Sequence, residues 1–227
     1  MQGLQLVHGT LQAGFDLVQT REIVVGNREF HLDDVLIDFH LPQLDKRRAL
    51  LDDLGWSFRI VPPDIEEVIG EEENPSTLVL RLAGEKADSV FRLFGGALVI
   101  GADTVVVLGE TILGKPKDTE DAEKMLSMLS GKEHTVITGV AVRYGEAAVS
   151  GFEMTRVFFR QLTESDIKKY VCSGEPMDKA GGYAIQGRGS LLVRSIEGCY
   201  FNVVGLPLVR LSRLLEEAGI PLEQQWR

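Results

Sequence analysis

The pattern of apolar and polar positions from residue 46 onward predicts alternating helices and strands. Residues 76–94 place apolar side chains along one helical stripe. Residues 97–108 form the most apolar run of the chain, which predicts a central strand buried on both faces. Further helices are predicted at 47–54, 119–129, 163–172 and from Pro207 to about 218, and further strands at 56–61, 134–143, 149–160 and 191–195.

Two charged residues interrupt these apolar patterns. Asp103 lies inside the central strand, where an unpaired carboxylate would cost several kcal/mol. It is either a local turn-forming residue at a strand end or a carboxylate that binds metal or activates water. Lys86 falls on the apolar stripe of helix 76–94. It is either a snorkelling surface side chain, which propensity favours, or a cation directed into a cleft.

Residues 173–189 are rich in glycine and in side chains that bind anions or polar bases. The segment lacks the spacing of a P-loop and the context of a dinucleotide fold, which disfavours both classes. Asp178 and Lys179 within it either pair with each other or bind a ligand. Lys115 precedes Pro116, so it is predicted on an extended loop at the cleft end of the central strand.

Composition restricts the class of protein and of partner. The 227 residues are 44% hydrophobic and 26% charged, as expected for a folded globule. The formal charge of −10 disfavours a broad nucleic-acid-binding surface, so a small anionic ligand would need a local cluster of Lys and Arg. Cys172 and Cys199 form neither a disulfide framework nor a zinc motif. With no membrane-spanning run and no signal segment, the chain is predicted to be a soluble cytoplasmic protein with no membrane partner.

The start of the chain differs in composition from the rest. Residues 1–45 contain no Ser, Lys or Tyr but hold three of the four His, which are not spaced as metal ligands. A local hairpin is predicted at 22–32 around Gly26-Asn27. We therefore divide the chain into an atypical segment, 1–45, a main domain, 46–218, and a C-terminal tail, 219–227.

Eight strings from Lys46 to Ala218, in order, resemble the Maf family of nucleoside triphosphate pyrophosphatases. They begin at Arg47 (RRALL), Pro62 (PPDIEE), Arg81 (RLAGEKA), Gly101 (GADTV), Gly114 (GKP), Leu129 (LSG), Ser173 (SGEPMDKAGG) and Asn202 (NVVGLP). The resemblance implies an α/β fold with a bent mixed β-sheet flanked by helices, forming two lobes around a nucleotide-binding cleft, as in the Maf and inosine triphosphatase-like folds.

The same resemblance implies hydrolysis between the α and β phosphates, aided by a divalent cation, Mg²⁺ or Mn²⁺. The Gln186 version of the glycine-rich segment is similar to the branch that acts on dTTP and UTP. The expected partner is the nucleoside triphosphate, the expected role is the clearing of non-standard nucleotides, and a homodimer is common in families of this kind.

Site residues follow from the resemblance by position. Asp103 matches the catalytic carboxylate, and Glu67, Lys86 and Lys115 match acidic and basic residues of the same site. Asp103 and Glu67 are the candidate metal ligands, and sequence does not decide which of them activates water. The candidate substrate-binding residues are Thr104, Gln186, Lys46, Arg47, Asp178 and Lys179.

One departure concerns the family's Ser-x-Ser-Pro-Arg-Arg phosphate loop. Pro42 and Leu44 stand at the serine positions and Asp45 at the proline position, although Lys46 and Arg47 keep positive charge. Each lost hydroxyl donor would cost about 1–3 kcal/mol against a charged partner. A rival hypothesis is therefore a catalytically impaired nucleotide-binding or regulatory protein. A third is an inosine- or xanthosine-triphosphatase.

Overall fold

The computed structural model describes residues 35–38, 44–62, 65 and 73–226. Within them, seven strands form one mixed sheet in the order β2-β1-β3-β5-β6-β7, with β4 paired to β3. β1 is parallel to β2 and β3, and the other pairs are antiparallel. The strands are β1 (Val35–Asp38), β2 (Phe58–Ile60), β3 (Leu98–Leu108), β4 (Thr111–Leu113), β5 (Glu133–Tyr144), β6 (Ala147–Phe159) and β7 (Val193–Glu197). This mixed sheet with its helices confirms the predicted α/β class.

Helices pack on the sheet, and three of them begin at a side-chain cap. Asn74, Asp118 and Thr163 accept hydrogen bonds from the first turns of α2, α3 and α4, and Thr163 forms a full capping box with Asp166. Two short helices, α5 and α7, were not predicted because one turn is too short to show a helical period. The helices are α1 (Leu44–Asp53), α2 (Pro75–Leu93), α3 (Thr119–Leu129), α4 (Glu164–Val171), α5 (Tyr200–Val204), α6 (Leu208–Glu217) and α7 (Leu222–Gln225).

The two faces of β3 pack against different helices. Val99 and Val105 lie with the apolar side chains of α2, including Leu82 and Ala83. Val106 lies on the other face, in the core that α3 and α4 complete. The predicted central strand buried on both faces is therefore confirmed.

Glycines let α2 lie directly on the sheet. A Cβ on Gly101 would stand 2.4 Å from the Ala83 carbonyl oxygen, and one on Gly139 would stand 2.3 Å from that of Val79. Both contacts are closer than a Cβ atom allows, so these two positions in β3 and β5 require glycine. The close approach fixes the height of α2 over the sheet.

The last residues are tied to the rest of the described fold. Ile220 is only 1% exposed, and the indole Nε1 of Trp56 donates to the carbonyl oxygen of Gln225 at 3.0 Å. Among the helices described, none is both long enough and apolar enough to cross a membrane. The hairpin predicted at 22–32 lies outside the described residues.

Candidate active site

The edge of β3 carries a notch, defined as the stretch Ala102–Val105 between two neighbouring strands. On this edge, the register pairs β1 with β3 up to Asp38–Gly101, and β4 takes up pairing at Leu113–Val106. Between these pairs, the described strands leave β3 unpaired on this side, while β5 covers its other side throughout. Asp103 and Thr104 therefore lie on a stretch of the central strand that no described strand covers on this side.

Asp103 meets Lys86 on the α2 side of the notch. The Lys86 ammonium Nζ donates to Asp103 Oδ1 at 2.7 Å. Lys86 is 2% exposed and Asp103 is 8% exposed, so the pair is nearly removed from water. Of the two alternatives for Lys86, the snorkelling position is wrong, because α2 lies close enough to the sheet for the buried lysine to reach the carboxylate. Its predicted role at a cleft stays a prediction.

Thr104 projects from the opposite face of β3, as successive strand residues do. Its Oγ1 lies 2.9 Å from Thr138 Oγ1, and the Thr138 hydroxyl donates to the carbonyl oxygen of Asn202 at 3.0 Å. The Asn202 amide Nδ2 then donates to Val136 O at 3.0 Å. This buried chain holds the start of α5 against β3 and β5.

Arg47 reaches the notch from α1, and it is 1% exposed. Its guanidinium donates to Gly205 O at 2.7 Å, to Ala102 O at 3.0 Å and to Thr104 Oγ1 at 3.0 Å. The structure thus uses this predicted phosphate-binding residue to join α1, β3 and the end of α5. Gly205 has φ +109°, and a Cβ there would stand 3.2 Å from Arg47 Nε, so glycine makes room for the guanidinium.

An open hollow lies on the Thr104 side of the notch. The Lys46 and Lys179 side chains enter it, and most of its other walls are apolar. Its lining residues are Lys46, Thr104, Val106, Val136, Lys179, Ala180, Tyr183, Ala184, Ile185, Val203, Val204 and Gly205. Asp103 and Lys86 are not among the lining residues, because β3 itself separates them from the hollow everywhere except at the notch.

Lysines approach the notch from both sides. Lys46 lies in the first turn of α1 and is half-buried. Lys115 follows Leu113 by two residues, and since β4 runs antiparallel to β3, the chain at Lys115 heads from Val106 toward Thr104 and Asp103. Burial and the nearby Lys179 ammonium lower the pKa of Lys46, against the opposing influence of Glu175 and Asp178. An incoming anion would relieve this repulsion between lysines.

Asp178 and Lys179 form an ion pair with each other, which is one of the two alternatives predicted for them. The Lys179 ammonium donates to Asp178 Oδ1 and also, at 2.8 Å, to the carbonyl oxygen of Glu175. Pairing does not remove Lys179 from the site, because the same side chain lines the hollow beside Lys46. The pair therefore orients a cation toward the hollow.

Gln186 is half-buried and directly follows Ile185, which lines the hollow. Its neighbours in the glycine-rich segment are fixed by residues that sequence reasoning did not single out, Tyr170 and Glu175. Glu175 accepts hydrogen bonds from the backbone N–H groups of Arg188 and Gly189. The string SGEPMDKAGG contains Glu175, but nothing in its spacing showed which backbone groups it would bind.

Glu67 lies outside the described residues, so its predicted role stays a prediction. Positions Pro42, Leu44 and Asp45 of the altered loop likewise have no described side chains. Among the residues that the structure describes, no group of three or more His, Cys, Asp or Glu is arranged to hold a metal ion.

Comparisons with known proteins identify the family of the chain. The model of the Maf-like protein family matches residues 45–218 of the chain. A dTTP/UTP pyrophosphatase of Pelotomaculum thermopropionicum is 49% identical over 176 residues, which make up 77% of this chain and 92% of that protein. A dTTP/UTP pyrophosphatase of Bacillus cereus strain B4264 is 46% identical over 175 residues, 77% of this chain and 92% of its own.

Among solved structures, a HAM1 protein from Coxiella burnetii has a TM-score of 0.35 and 13% identity, over 55% of this chain and 72% of that one. A likeness of that size carries no functional argument. The family match and the sequence identity of the relatives are sufficient to assign the family without this structural comparison. The chain belongs to the Maf-like protein family.

Proposed function

We propose that this chain is a nucleoside triphosphate pyrophosphatase that hydrolyses dTTP and UTP to the monophosphate and pyrophosphate. The observation that carries the proposal is the buried Lys86–Asp103 pair, 2.7 Å between Nζ and Oδ1, at the notch of the central strand. Relatives named dTTP/UTP pyrophosphatase match over most of their length. The substrate choice is taken from those names and from the resemblance at Gln186.

The lysines supply the charge that a triphosphate requires. A nucleoside triphosphate carries about four negative charges, and the protein as a whole carries −10, so attraction must come from a local cluster. Lys46 and Lys179 line the hollow, and Lys86 lies at the notch. We assign Lys115, on the chain that leaves β4 toward the notch, to the departing pyrophosphate. Cations placed there stabilise charge that grows in the transition state.

We assign the hollow to the base and its sugar. Val106, Tyr183 and Val203 offer apolar contact, and Thr104 offers a hydroxyl. Gln186, next to the hollow, has one amide donor and one carbonyl acceptor, which match the O4 and N3–H groups of uracil or thymine. We infer that Gln186 selects the base.

Asp103 is the residue that we assign to the attacking water. Its Oδ1 accepts from Lys86, which leaves Oδ2 as the oxygen that can bind a ligand. A carboxylate held in this way can orient a water molecule and take its proton as the phosphorus is attacked. Lys86 positions the carboxylate and compensates its charge in a nearly dry site. Arg47 acts as a positioning residue for Thr104 and Ala102.

Asp103 and Glu67 are the two carboxylates that would hold a divalent cation of the Mg²⁺ type. Mg²⁺ is often held by one or two carboxylates together with substrate phosphates and water, so a cluster of three protein ligands is not needed. Asp103 supplies one such oxygen, and Glu67 is the proposed second. When bound, the cation would act as a Lewis acid and neutralise charge on the reacting phosphate.

A nucleotide panel tests the proposed function. The purified chain is incubated with UTP, dTTP, CTP and ITP in the presence of Mg²⁺, and the products are separated. We expect UMP or dTMP with pyrophosphate rather than inorganic phosphate, preference for UTP and dTTP, and loss of turnover when EDTA removes the cation. Binding of UTP without turnover would instead support the impaired protein, and preference for ITP would support the purine triphosphatase.

A further inference from the structure

The backbone around Gln186 is held from both sides by one pair of side chains. The Ala184 N–H donates to the Tyr170 hydroxyl oxygen at 3.3 Å, two residues before Gln186. The N–H groups of Arg188 and Gly189 donate to Glu175 Oε2 and Oε1, at 3.1 and 3.0 Å, two and three residues after it. The backbone of Gln186 therefore lies between two fixed points.

The two fixed points are joined to each other. The Tyr170 hydroxyl donates to Glu175 Oε1 at 3.0 Å, so the amide of Ala184, the phenol and the carboxylate form one continuous chain. We call Tyr170 and Glu175 the brace. The brace starts in α4, outside the glycine-rich segment, which allows it to fix that segment against a regular element.

The brace uses both carboxylate oxygens as acceptors. Burial alone would raise the pKa of Glu175. The hydrogen bonds donated by Gly189, Arg188 and Tyr170 have a larger combined effect, so the pKa is lowered. A Cβ at Gly187, where φ is +67°, would stand 3.0 Å from Oε2, so the residue after Gln186 can approach the carboxylate only as glycine. The carboxylate and the glycine fit each other closely.

The position of the Gln186 backbone matters because the side-chain amide has two orientations, in which its NH₂ group and its oxygen exchange places. Gln offers donor and acceptor in one order to uracil, and the reversed order suits the amino and N3 groups of cytosine. A glutamine on mobile backbone could satisfy either base. A fixed backbone holds the Cα and Cβ of Gln186 at one distance from the base, and half-burial restricts the side-chain torsions that would reverse the amide.

We propose that Glu175, assisted by Tyr170, is a positioning residue that sets the base selectivity of Gln186. This inference rests on the proposed function, since it concerns the same hollow. The brace also contacts a lysine that we assign to the triphosphate. The carbonyl oxygen of Glu175 accepts a hydrogen bond from the Lys179 ammonium at 2.8 Å. That contact involves the main chain, so it survives replacement of the Glu175 side chain.

The test compares Glu175→Gln, Tyr170→Phe, Gln186→Ala and the double variant Glu175→Gln/Gln186→Ala. Glu175→Gln keeps the size of the side chain but replaces one acceptor oxygen by an NH₂ group, which faces a backbone N–H. Glu164→Gln is the matched control, because Glu164 lies at the start of α4, the helix that carries Tyr170, is exposed and pairs with Lys168. Thermal unfolding and amide hydrogen exchange are measured for every variant.

We expect the ratio of kcat/KM for UTP to that for CTP to fall about tenfold in Glu175→Gln, equal to about 1.4 kcal/mol. The fall should come mainly from KM for UTP, with kcat changed by less than about twofold. Gln186→Ala should lower the ratio similarly, and the double variant should lower it no further. Hydrogen exchange of the Arg188 and Gly189 backbone amides should accelerate in Glu175→Gln. The control Glu164→Gln should change neither these exchange rates nor the ratio of kcat/KM for UTP to that for CTP.

An unchanged ratio in Glu175→Gln, or a double variant whose loss equals the sum of the single losses, would overturn the inference. The same ratio is measured in parallel from the dissociation constants of UTP and CTP with EDTA present. A wild-type chain without turnover would refute the proposed function, whereas the binding ratios would still decide the role of the brace.

Discussion

At the scale of single residues, the site depends on polar groups that are buried together with their partners. Lys86 and Asp103 are 17 positions apart in sequence, and each would be costly to bury alone. Sequence singled out both residues as exceptions within apolar patterns. The sequence could not show that the two side chains meet, because their contact depends on how α2 packs on β3. Helix propensity alone favoured the snorkelling alternative for Lys86, which is wrong.

His134 is a buried residue whose charge state links pH to stability. Its Nε2 lies 2.7 Å from the Tyr183 hydroxyl, and its ring packs edge-on against Phe159 and Tyr183. Burial lowers the pKa of His134 to about 4, against a smaller opposing influence of Glu133. Since Tyr183 lines the hollow, His134 supports the wall of the proposed base site.

The depressed pKa predicts a loss of stability in mild acid. Above the unfolded pKa of about 6.5, His134 is neutral in both states, and as pH falls toward its folded pKa, only the unfolded state gains the proton. The free energy of unfolding should therefore fall by about 2 kcal/mol from pH 7 to pH 5 through this residue. Urea unfolding of the wild type and of His134→Gln at both pH values measures it.

The difference between the two proteins isolates His134 from the carboxylates, which titrate in both. The wild type should lose more stability than His134→Gln over this interval. Equal losses in the two proteins would show that His134 does not carry the effect.

At the scale of elements, the position of α2 decides whether the reactive pair forms. The helix approaches β3 and β5 through Gly101 and Gly139, and Gly139 is the register partner of Asp103. The long amphipathic pattern predicted α2 to within one residue at each end. The pattern could not predict the closeness of the contact, since a glycine in a strand is compatible with a bulge, a bend or a close approach.

Gly101→Ala should displace α2 and weaken both fold and activity. The new Cβ would meet the Ala83 carbonyl oxygen at 2.4 Å, so backbone must move. We expect a loss of about 1–3 kcal/mol in the free energy of unfolding and a fall in kcat, because Lys86 moves away from Asp103. Chemical unfolding and pyrophosphate release measure the two effects.

Gly84→Ala is the matched control on the same helix. A Cβ at Gly84 meets nothing within 4 Å, and alanine is a better helix former, so a gain of about 0.5–1 kcal/mol is expected. Full stability in Gly101→Ala would contradict the proposed role of the close contact.

At the scale of the whole molecule, the site forms where the sheet is incomplete. β1 and β4 cover opposite ends of one edge of β3, and the Asp103–Thr104 pair lies between them. Lys46, Lys115 and Arg47 come from the elements that border the notch. Strand and helix patterns predicted β3 and α1 but neither β1 nor β4. The notch itself follows from pairing between distant strands, which no local pattern records.

Resemblance and physical pattern therefore contributed different parts of the prediction. The resemblance named Gln186 and Lys115, whereas the exceptional burial of Asp103 could be argued from its apolar neighbours alone. Neither source predicted the brace or the use of Arg47 inside the protein, because both depend on backbone groups whose positions only the folded chain defines.

The most direct test of the account is the rate of pyrophosphate release from UTP with Mg²⁺ in the wild type, Asp103→Asn and Asp88→Asn. Asp88 is the matched control, since it also lies in an ion pair, with Arg143, but away from the notch. We expect Asp103→Asn to lower kcat at least about 100-fold and Asp88→Asn to leave it nearly unchanged, with all three proteins folded by circular dichroism. A folded Asp103→Asn protein with wild-type turnover would contradict the account.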